Sequence, residues 1–435
     1  MLMRRGLGRA ILAATIGGLS LSALPAAASA LAGTAVRASV AGASAPGSLD
    51  SAFGSGGASL VPFGSWIAAA AVAVQPDGKI VTAGQAELNG TMYIVSTRMT
   101  SGGQLDPTYG HRGLVAVDIY GGAGVDSGDA LALQPDGKIL IAATGHNGTW
   151  GQLAFAAVRL NPNGSQDATF GHHGVALAAI GASAMANGVA IQHDGKIVLA
   201  GTANTGHNVF AAARFNANGT LDPSFGDQGT TTLSPTGGAW GLVIQGDGKL
   251  VLAGQGDYSN PSVQNAQQFM AARLNTDGTL DPTFGSGGID AIPVGASALG
   301  YGVAKQADGK LVLSGIAWTS TTVNAVVRLN SDGSLDSSYG QGGIGTIIDG
   351  YGANGIVLDG AGRAVLPTTG AGAVRLNPNG TPDLAFGNNG IALAQIGTGG
   401  AANGAAIQPG DGKIVLGGAA TVNGQTVLSV IRLNP

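Results

Sequence analysis

Three aspartates lie close together in the glycine-rich stretch VDIYGGAGVDSGD, at Asp118, Asp126 and Asp129. A calcium ion is held by several oxygen atoms that converge on one point, and carboxylates are its usual protein ligands. Asp126 and Asp129 are therefore the candidate metal ligands of this sequence. No repeated D-x-D-x-D pattern accompanies them, so an ordinary acidic loop, with no cofactor bound, is the alternative.

Aromatic side chains at positions that do not recur elsewhere in the chain are the second candidate for chemistry. Such rings stack on sugar rings and flat ligands or pack into a protein partner. The alternative is that they cap the hydrophobic space between sheets. The predicted ligand-binding residues are Trp66, Tyr120, Trp150, Trp240, Tyr258, Tyr301, Trp318 and Tyr351.

Motifs for covalent catalysis are absent from the sequence. It contains no Cys and no G-x-S-x-G nucleophile elbow, and its GSGG segments do not lie between a strand and a helix. The enzymatic alternative that stays open is a metal-assisted lyase or lactone hydrolase. It would use carboxylates such as Asp126, Asp129 or Asp349 at the mouth of a channel.

Three short phrases recur seven times along the chain, at spacings of about 47 to 61 residues. A DGK turn has its Lys at 79, 138, 196, 249, 310 and 413, and a degenerate seventh copy has Arg363 in that place. An R-[LFM] phrase follows each turn, and a crossover phrase of the general form [LP]D-x-x-[FY]-G also occurs seven times, the first at Asp50, before the first turn. Self-similarity at this period indicates a solenoid, a propeller or an array.

One repeat contains four strand-like segments separated by tight turns. In residues 187–235, four segments are rich in apolar and β-branched residues: GVAIQ, KIVLAG, VFAAARFN and TTTLS. The turn HDG connects the first two segments, and the turn ANG follows the third. Four antiparallel strands without helices predict a propeller blade. We therefore expect an all-β, seven-bladed β-propeller. A stacked solenoid is the alternative, but it favours atypical capping repeats at both ends.

The last repeat lacks its outer strand, and the N-terminal region contains an unassigned one. The chain ends in SVIRLNP, whereas PGSLDSAFGSGG, from Pro46 to Gly57, has no preceding repeat. We expect Leu49–Val61 to pair with Thr426–Asn434 and to complete the last blade. This pairing would close the ring and cover two exposed strand edges.

The phrases Q-x-D-G-K-I, R-L-N-x-[ND]-G-x-L-D and F-G-x-G-G resemble the delta-60 repeat family of bacterial proteins. The chain is more distantly similar to NHL-type and streptogramin-lyase-like propellers. The resemblance covers residues 46–435 and implies a β-propeller and, often, export. It implies no catalytic residues. The turn at Asp359–Arg363 departs from the pattern.

Residues that occur in every repeat are expected to build the scaffold, and the crossover Asp is expected to pair with the Arg of the third strand. Among the cations after the N-terminal segment, Arg37, Arg112 and Lys305 lie outside the recurrent positions. Trp66 and Trp240 are predicted in links from an outer strand to the next inner strand. Because the inner strands are rich in Ala, Gly and Val, the channel is predicted to offer little chemistry.

The first thirty residues predict an export signal. Arg4, Arg5 and Arg9 precede the apolar run AILAATIGGLSLSALP, and AAASA ends in an A-x-A cleavage site near Ala30. An uncleaved anchor is the alternative. The domain prediction is a signal peptide at 1–30, a flexible leader at 31–45 and the propeller at 46–435. No membrane span is predicted in the mature chain.

The composition favours an exported binding scaffold. A formal net charge of −4 with dispersed cations does not suggest nucleic acid as a partner. We predict a secreted or cell-surface monomer that binds a glycan or a protein on an aromatic-bearing loop face. Besides the enzyme alternative, a cell-surface structural component without a discrete ligand stays open.

Overall fold

The computed structural model describes residues 36–38, 44–119, 126–146, 152–257 and 267–435, and every regular element in these ranges is a β-strand. The short segments of branched and small apolar residues between Gly-containing turns explain this outcome, because Gly disfavours helices and supplies the positive φ of the turns. At the DGK turns, for example, Gly78 has φ 81° and Gly195 has φ 81°. The all-β class predicted from the sequence is confirmed.

The strands of the repeats occupy four positions and pair antiparallel in the order inner, second, third and outer. Numbered in chain order, the inner strands are β3 (Trp66–Val74), β7 (Ser127–Leu133), β11 (Ser183–Ile191), the second half of β14 (Thr230–Ile244), β18 (Ser297–Lys305), β22 (Val357–Leu358) and β26 (Gly399–Ile407). Repeat 1 begins with β3 and repeat 7 with β26. The second strands are β4 (Ile80–Leu88), β8 (Ile139–His146), β12 (Ile197–Asn204), β15 (Leu250–Asp257), β19 (Leu311–Trp318), β23 (Ala364–Thr368) and β27 (Ile414–Val422).

The third and outer positions complete the repeats. The third strands are β5 (Thr91–Met99), β9 (Leu153–Leu160), β13 (Asn208–Phe215), β16 (Gln267–Leu274), β20 (Thr322–Leu329), β24 (Gly372–Leu376) and β28 (Gln425–Leu433). The outer strands are β6 (Leu114–Val117), β10 (Val175–Ala178), the first half of β14, β17 (Ile289–Ile292), β21 (Ile344–Ile347), β25 (Ile391–Ile396) and, for repeat 7, β2 (Ala58–Val61).

Hydrogen bonding joins these strands into five sheets, and no sheet in the described ranges closes on itself. Two are plain four-stranded sheets, those of repeats 2 and 5. The seven-stranded sheet arises because β14 runs from the outer position of repeat 3 into the inner position of repeat 4. The eight-stranded sheet joins repeats 7 and 1 through one parallel pair, Thr426 and Trp66.

The N-terminal segment docks on the last strand, as the split repeat predicts. Ala58 pairs with Ile431 and Val61 with Leu428, in antiparallel register. The turn before it is also completed across the two chain ends, since the Gly47 N–H donates to the Asn434 carbonyl at 2.9 Å. In repeat 2, where the chain is continuous, the Gly164 N–H donates to the Asn161 carbonyl at 2.8 Å in the equivalent turn.

Part of the stretch predicted as a flexible leader is a strand. β1 (Val36–Ala38) pairs antiparallel with β25, from Val36 opposite Ile396 to Ala38 opposite Ala394. It extends the sheet of repeat 6 at its outer edge to five strands. An unpaired outer edge presents free N–H and C=O groups to any extended chain, and here a segment of the same chain covers them.

The hydrophobic core lies between the faces of successive sheets. Val251 of repeat 4 packs in one buried cluster with Leu313 of repeat 5, and Val95 of repeat 1 packs in another with Leu428 of repeat 7. The inner strands contact one another in chain order, and β26 also contacts β3. Within the described ranges, no helix has the length and apolarity needed to cross a membrane.

Candidate functional site

The charged residues that recur in every repeat form a buried pair at the same place. The Arg of each third strand donates from Nε to Oδ2 of the crossover Asp at 2.7 to 2.9 Å, and this confirms the predicted pairing. The Asp of repeat 7 is supplied by the N-terminal segment. The pairs are Arg98–Asp106, Arg159–Asp167, Arg214–Asp222, Arg273–Asp281, Arg328–Asp336, Arg375–Asp383 and Arg432–Asp50.

Six of these seven Arg side chains also join their repeat to the next one. Arg159 Nη1 donates to the Ala217 carbonyl of repeat 3 at 2.6 Å, and its guanidinium carbon lies 4.3 Å from the centre of the Phe170 ring. Arg432 of repeat 7 donates in the same way to the Ser101 carbonyl of repeat 1 at 2.6 Å. Apart from Arg375 Nη1, which is buried without a hydrogen-bond partner, these groups are engaged by contacts inside the scaffold, so they are not candidates for a site.

The inner strands carry a second recurrent feature, a β-bulge at one position. The register with the second strand shifts by one residue there, and the inserted residue differs from repeat to repeat. In repeat 6 the equivalent residue follows the bridge between Ala353 and Thr368. The bulge residues are Ala70, Asp129, Asn187, Trp240, Tyr301, Asn354 and Asn403.

Asparagine at the bulge links adjacent inner strands. Asn187 Nδ2 donates to the Ala239 carbonyl of repeat 4 at 2.7 Å, and Asn354 Nδ2 donates to the Ala402 carbonyl of repeat 7 at 2.9 Å. Asn403 of repeat 7 donates to the Ala69 carbonyl of repeat 1 at 2.8 Å. Sequence reasoning missed these residues, although an Asn-Gly pair followed by three apolar residues recurs in repeats 3, 6 and 7 and was a signal.

Two predicted site residues occupy bulges and contact each other. Trp240 and Tyr301 pack edge to face, with ring centres 5.9 Å apart and an interplanar angle of 86°. Trp240 is 41% exposed, whereas Tyr301 is half-buried and burial raises the pKa of its hydroxyl. The prediction that Trp240 lies in a link between strands is wrong, because it lies within β14. The inner strands therefore carry an exposed ring, contrary to the expectation that they offer little chemistry.

The remaining predicted aromatics are distributed elsewhere. Trp66 begins β3 and is half-buried, and Trp318 ends β19 at 38% exposure. Tyr351 is 42% exposed, and its N–H donates to Asp349 Oδ1 at 2.8 Å. The structure thus brings only Trp240 and Tyr301 into ring contact among the described members of the set. Tyr120, Trp150 and Tyr258 lie outside the described residues.

The two predicted metal ligands are engaged by protein groups. Asp126 Oδ2 accepts the Ile119 N–H at 2.8 Å, and Asp129 Oδ2 accepts the Ser127 hydroxyl at 2.9 Å. Burial raises the pKa of each carboxyl to about 6. Within the described ranges there is no group of three or more His, Asp or Glu side chains arranged to hold a metal ion. Both carboxylates are thus hydrogen-bonded to protein groups in the structure, and their role as metal ligands stays a prediction.

Replacing Asp129 by Asn is expected to stabilise the protein at pH 7. Asp129 stands where Asn187, Asn354 and Asn403 donate to the next inner strand, and an ionised carboxylate cannot donate. Its folded pKa lies above the unfolded value, so ionisation destabilises the fold above pH 6, and this cost disappears as the pH falls toward 4. We expect Asp129→Asn to gain about 1–3 kcal/mol at pH 7 and little at pH 4, measured by urea unfolding.

The reciprocal change provides the control for this prediction. Asn187→Asp removes a donor from the equivalent bulge of repeat 3, so it should lower stability at pH 7 and recover part of the loss on acidification. An Asp129→Asn protein that is less stable than the parent at pH 7 would show that the carboxylate itself stabilises the fold.

Two cavities open where the inner strands end, beside the turns that follow them in repeats 4, 5 and 6. The larger, of about 600 Å³, lies between repeats 4 and 5, and the other, of about 460 Å³, lies between repeats 5 and 6. Lys305 lines both. Sequence reasoning did not place a site at this end, although Lys305 was recognisable as a cation outside the recurrent positions.

Comparison with known families matches parts of five repeats to one family model. A family model described as a domain of unknown function (DUF5122) beta-propeller matches residues 134–170, 192–225, 245–284, 306–339 and 410–435, which together make up less than half of the chain. No curated protein matches. The chain is therefore a β-propeller repeat protein, as the four-stranded sheets indicate.

Solved structures similar to this chain are distant. The polysaccharide lyase Uly1 is 10% identical over 92% of this chain and 99% of that chain, with a TM-score of 0.46. Sqt1 from Chaetomium thermophilum bound to the N-terminus of the ribosomal protein L10 is 12% identical, over 86% and 98%, with a TM-score of 0.45. The C-terminal WD40 domain of Sif2 is 10% identical, over 85% and 99%, with a TM-score of 0.42. At these values the similarity carries no information about activity or ligands.

Proposed function

We propose that this protein is an exported binding scaffold of the delta-60 type, in which seven blades close into a ring and the Trp240–Tyr301 pair on the channel wall stacks on a sugar ring of a glycan. Closure is supported by the docking of Ala58–Val61 on the last strand and by the Asn403 bond to Ala69. Export is supported by the N-terminal sequence alone. No described contact favours the metal-assisted enzyme.

The observation that carries this proposal is the exposed indole at a bulge. Four of the seven bulge residues are Ala70, Asp129, Trp240 and Tyr301, and the other three are the bridging asparagines. Repeats 4 and 5 have an aromatic ring at the position where the asparagine amide of repeats 3, 6 and 7 donates to the next inner strand. Repeat 1 has Ala70 at the same position, so the packing of a repeat does not require an indole there. The exposed ring surface of Trp240 is therefore available to a ligand.

The geometry of the pair suits a sugar. The edge-to-face contact with Tyr301 restricts the orientation of the indole of Trp240, which is still 41% exposed. Apolar C–H faces of sugar rings stack on such surfaces, and the enclosing backbone offers carbonyl acceptors to hydroxyl groups. Met185, 44% exposed on the inner strand of repeat 3, adds a second apolar surface on the same ring of strands.

Trp240→Ala is expected to weaken glycan binding at least 10-fold, because the variant loses the stacked surface; this corresponds to about 1.4 kcal/mol. A glycan array probed with the mature protein would identify a ligand, and titration calorimetry would measure its affinity for parent and variant.

Trp318→Ala is the matched control, since Trp318 is similarly exposed but ends a second strand. It should leave the affinity unchanged within about 2-fold, and both variants should melt cooperatively. Binding that survives Trp240→Ala, or that is lost only in Trp318→Ala, would contradict the assignment of the site. An array without any bound glycan would contradict the ligand class.

A further inference from the structure

Lys305 differs from its counterparts in every other repeat. It is the last residue of its inner strand, directly before the Gln of the DGK turn, and it is exposed. The equivalent residues are all aliphatic and half-buried, and they pack against the clusters between sheets. They are Val74, Leu133, Ile191, Ile244, Leu358 and Ile407.

The cavity beside Lys305 follows from this replacement. The cluster between repeats 4 and 5 includes the half-buried Val243 and Val303 but lacks a side chain at the end of the inner strand. A lysine places its ammonium in water and cannot fill that space with branched carbon. The result is the 600 Å³ opening, within the range of roughly 300–1,000 Å³ that small-molecule sites occupy.

The ammonium of Lys305 is free to bind a ligand. No carboxylate of the described residues lies within ion-pair distance of it, whereas the Lys of each DGK turn and the Arg of each third strand are paired. Arg273, the other cation of the cavity, is engaged by Asp281 at 2.7 Å and by the Ser331 carbonyl at 2.5 Å. One positive charge is thus available to an incoming group.

The rim of the cavity provides acceptors. Asp247, Asp308 and Asp332 line it, and each has one carboxylate oxygen engaged by its own turn, from Lys249 N at 3.2 Å, Lys310 N at 3.1 Å and Ser334 N at 2.9 Å. A carboxylate oxygen that is not engaged in this way can accept hydrogen bonds from the hydroxyl groups of a ligand. Three carboxylates around one ammonium disfavour ligands with several negative charges.

We propose that the cavity between repeats 4 and 5 binds a small hydroxylated carboxylic acid, with one carboxylate on Lys305 and its hydroxyl groups on the rim aspartates. A sugar acid of the hexuronate kind has this chemistry. The site lies at the DGK end of the inner strand, four residues from Tyr301 along β18, and it is independent of the Trp240 site.

The test uses D-glucuronate as the probe, titrated into the parent protein and into Lys305→Ile by calorimetry or ligand-observed NMR. Isoleucine is the residue that repeats 3, 4 and 7 have at this position, so the variant should fold and melt no lower than the parent. We expect Lys305→Ile to weaken D-glucuronate binding at least 10-fold and Lys305→Arg to retain it within a few-fold. D-glucose, which lacks the carboxylate, should bind at least 10-fold more weakly.

Two further comparisons make the result decisive. Arg112→Ala removes another exposed cation outside the recurrent positions and should leave D-glucuronate binding unchanged. Absence of D-glucuronate binding to the parent, or equal binding by Lys305→Ile, would overturn the proposal. Equal affinity for acetate would also overturn it, because the hydroxyl groups would then contribute nothing.

Discussion

Removing residues 1–61 is expected to destabilise the protein by more than about 5 kcal/mol and to produce an aggregating species. The segment supplies the outer strand of repeat 7 and the carboxylate of Asp50, which accepts Arg432 Nε at 2.7 Å and Lys413 Nζ at 2.9 Å. Without it, the guanidinium of Arg432 stays buried without an anion. The edge of β28 is exposed as well.

The same segment fills the core between the sheets. Phe53 is fully buried beneath Arg432, whose guanidinium carbon lies 4.6 Å from the ring centre, and Leu49 and Val61 are also buried. Loss of a large buried aromatic alone costs about 3–5 kcal/mol. The deletion therefore combines a cavity, an unpaired charge and an open edge at one place.

Deletion of residues 1–43 is the control. It keeps residues 44–61, which dock on β28 and the turn after it, and removes only β1 among the described strands. Differential scanning calorimetry should show this shorter deletion melting within a few degrees of the parent. The longer deletion should lose its cooperative transition or melt far lower, with oligomers in size-exclusion chromatography. A monomeric 62–435 protein as heat-resistant as the parent would rule out the closed ring.

Much of this architecture was predictable because the repeat supplies its own internal alignment. The DGK and crossover phrases have fixed roles in every repeat, so the strands around them, the pairing of Arg432 with Asp50 and the docking of Ala58–Val61 follow from comparing copies. Tight turns that need positive φ leave a strong Gly and Asn signature. The long-range contacts of repeat 7 were thus predictable without any structure.

The candidate site was predicted less well, since it depends on how strands approach one another. The stretch around Trp240 was predicted as a link between strands, but it continues as β14. A Cβ at Gly238 would stand 2.3 Å from Thr202 Oγ1 of the neighbouring repeat, so this glycine permits close packing of strands. A β-bulge also interrupts the alternation by which an inner strand would be recognised.

Asp222→Ala is expected to cost about 3–5 kcal/mol, because it leaves the buried guanidinium of Arg214 without its anion. Asp222 accepts Arg214 Nε at 2.8 Å and also the Ser224 hydroxyl at 2.7 Å. Burial opposes ionisation of Asp222, but the hydrogen bonds from Ser224 and Lys196 and the charge of Arg214 outweigh it and hold its pKa well below the ordinary value. The carboxylate therefore stabilises the fold above about pH 4, and this contribution is lost as the pH falls further.

Lys196→Met provides the matched control for the role of burial. Lys196 lies 3.1 Å from the same carboxylate oxygen, but its side chain is 30% exposed, whereas that of Arg214 is 6% exposed. Pairs open to solvent contribute roughly 0–1 kcal/mol, so this variant should cost no more than that in urea unfolding at pH 7. The double variant Arg214→Met with Asp222→Ala should recover part of the loss, because no buried charge is left unpaired. If Asp222→Ala costs no more than Lys196→Met, the recurrent Arg–Asp pair does not hold the sheets together, and the stability of the fold must come from the apolar clusters alone.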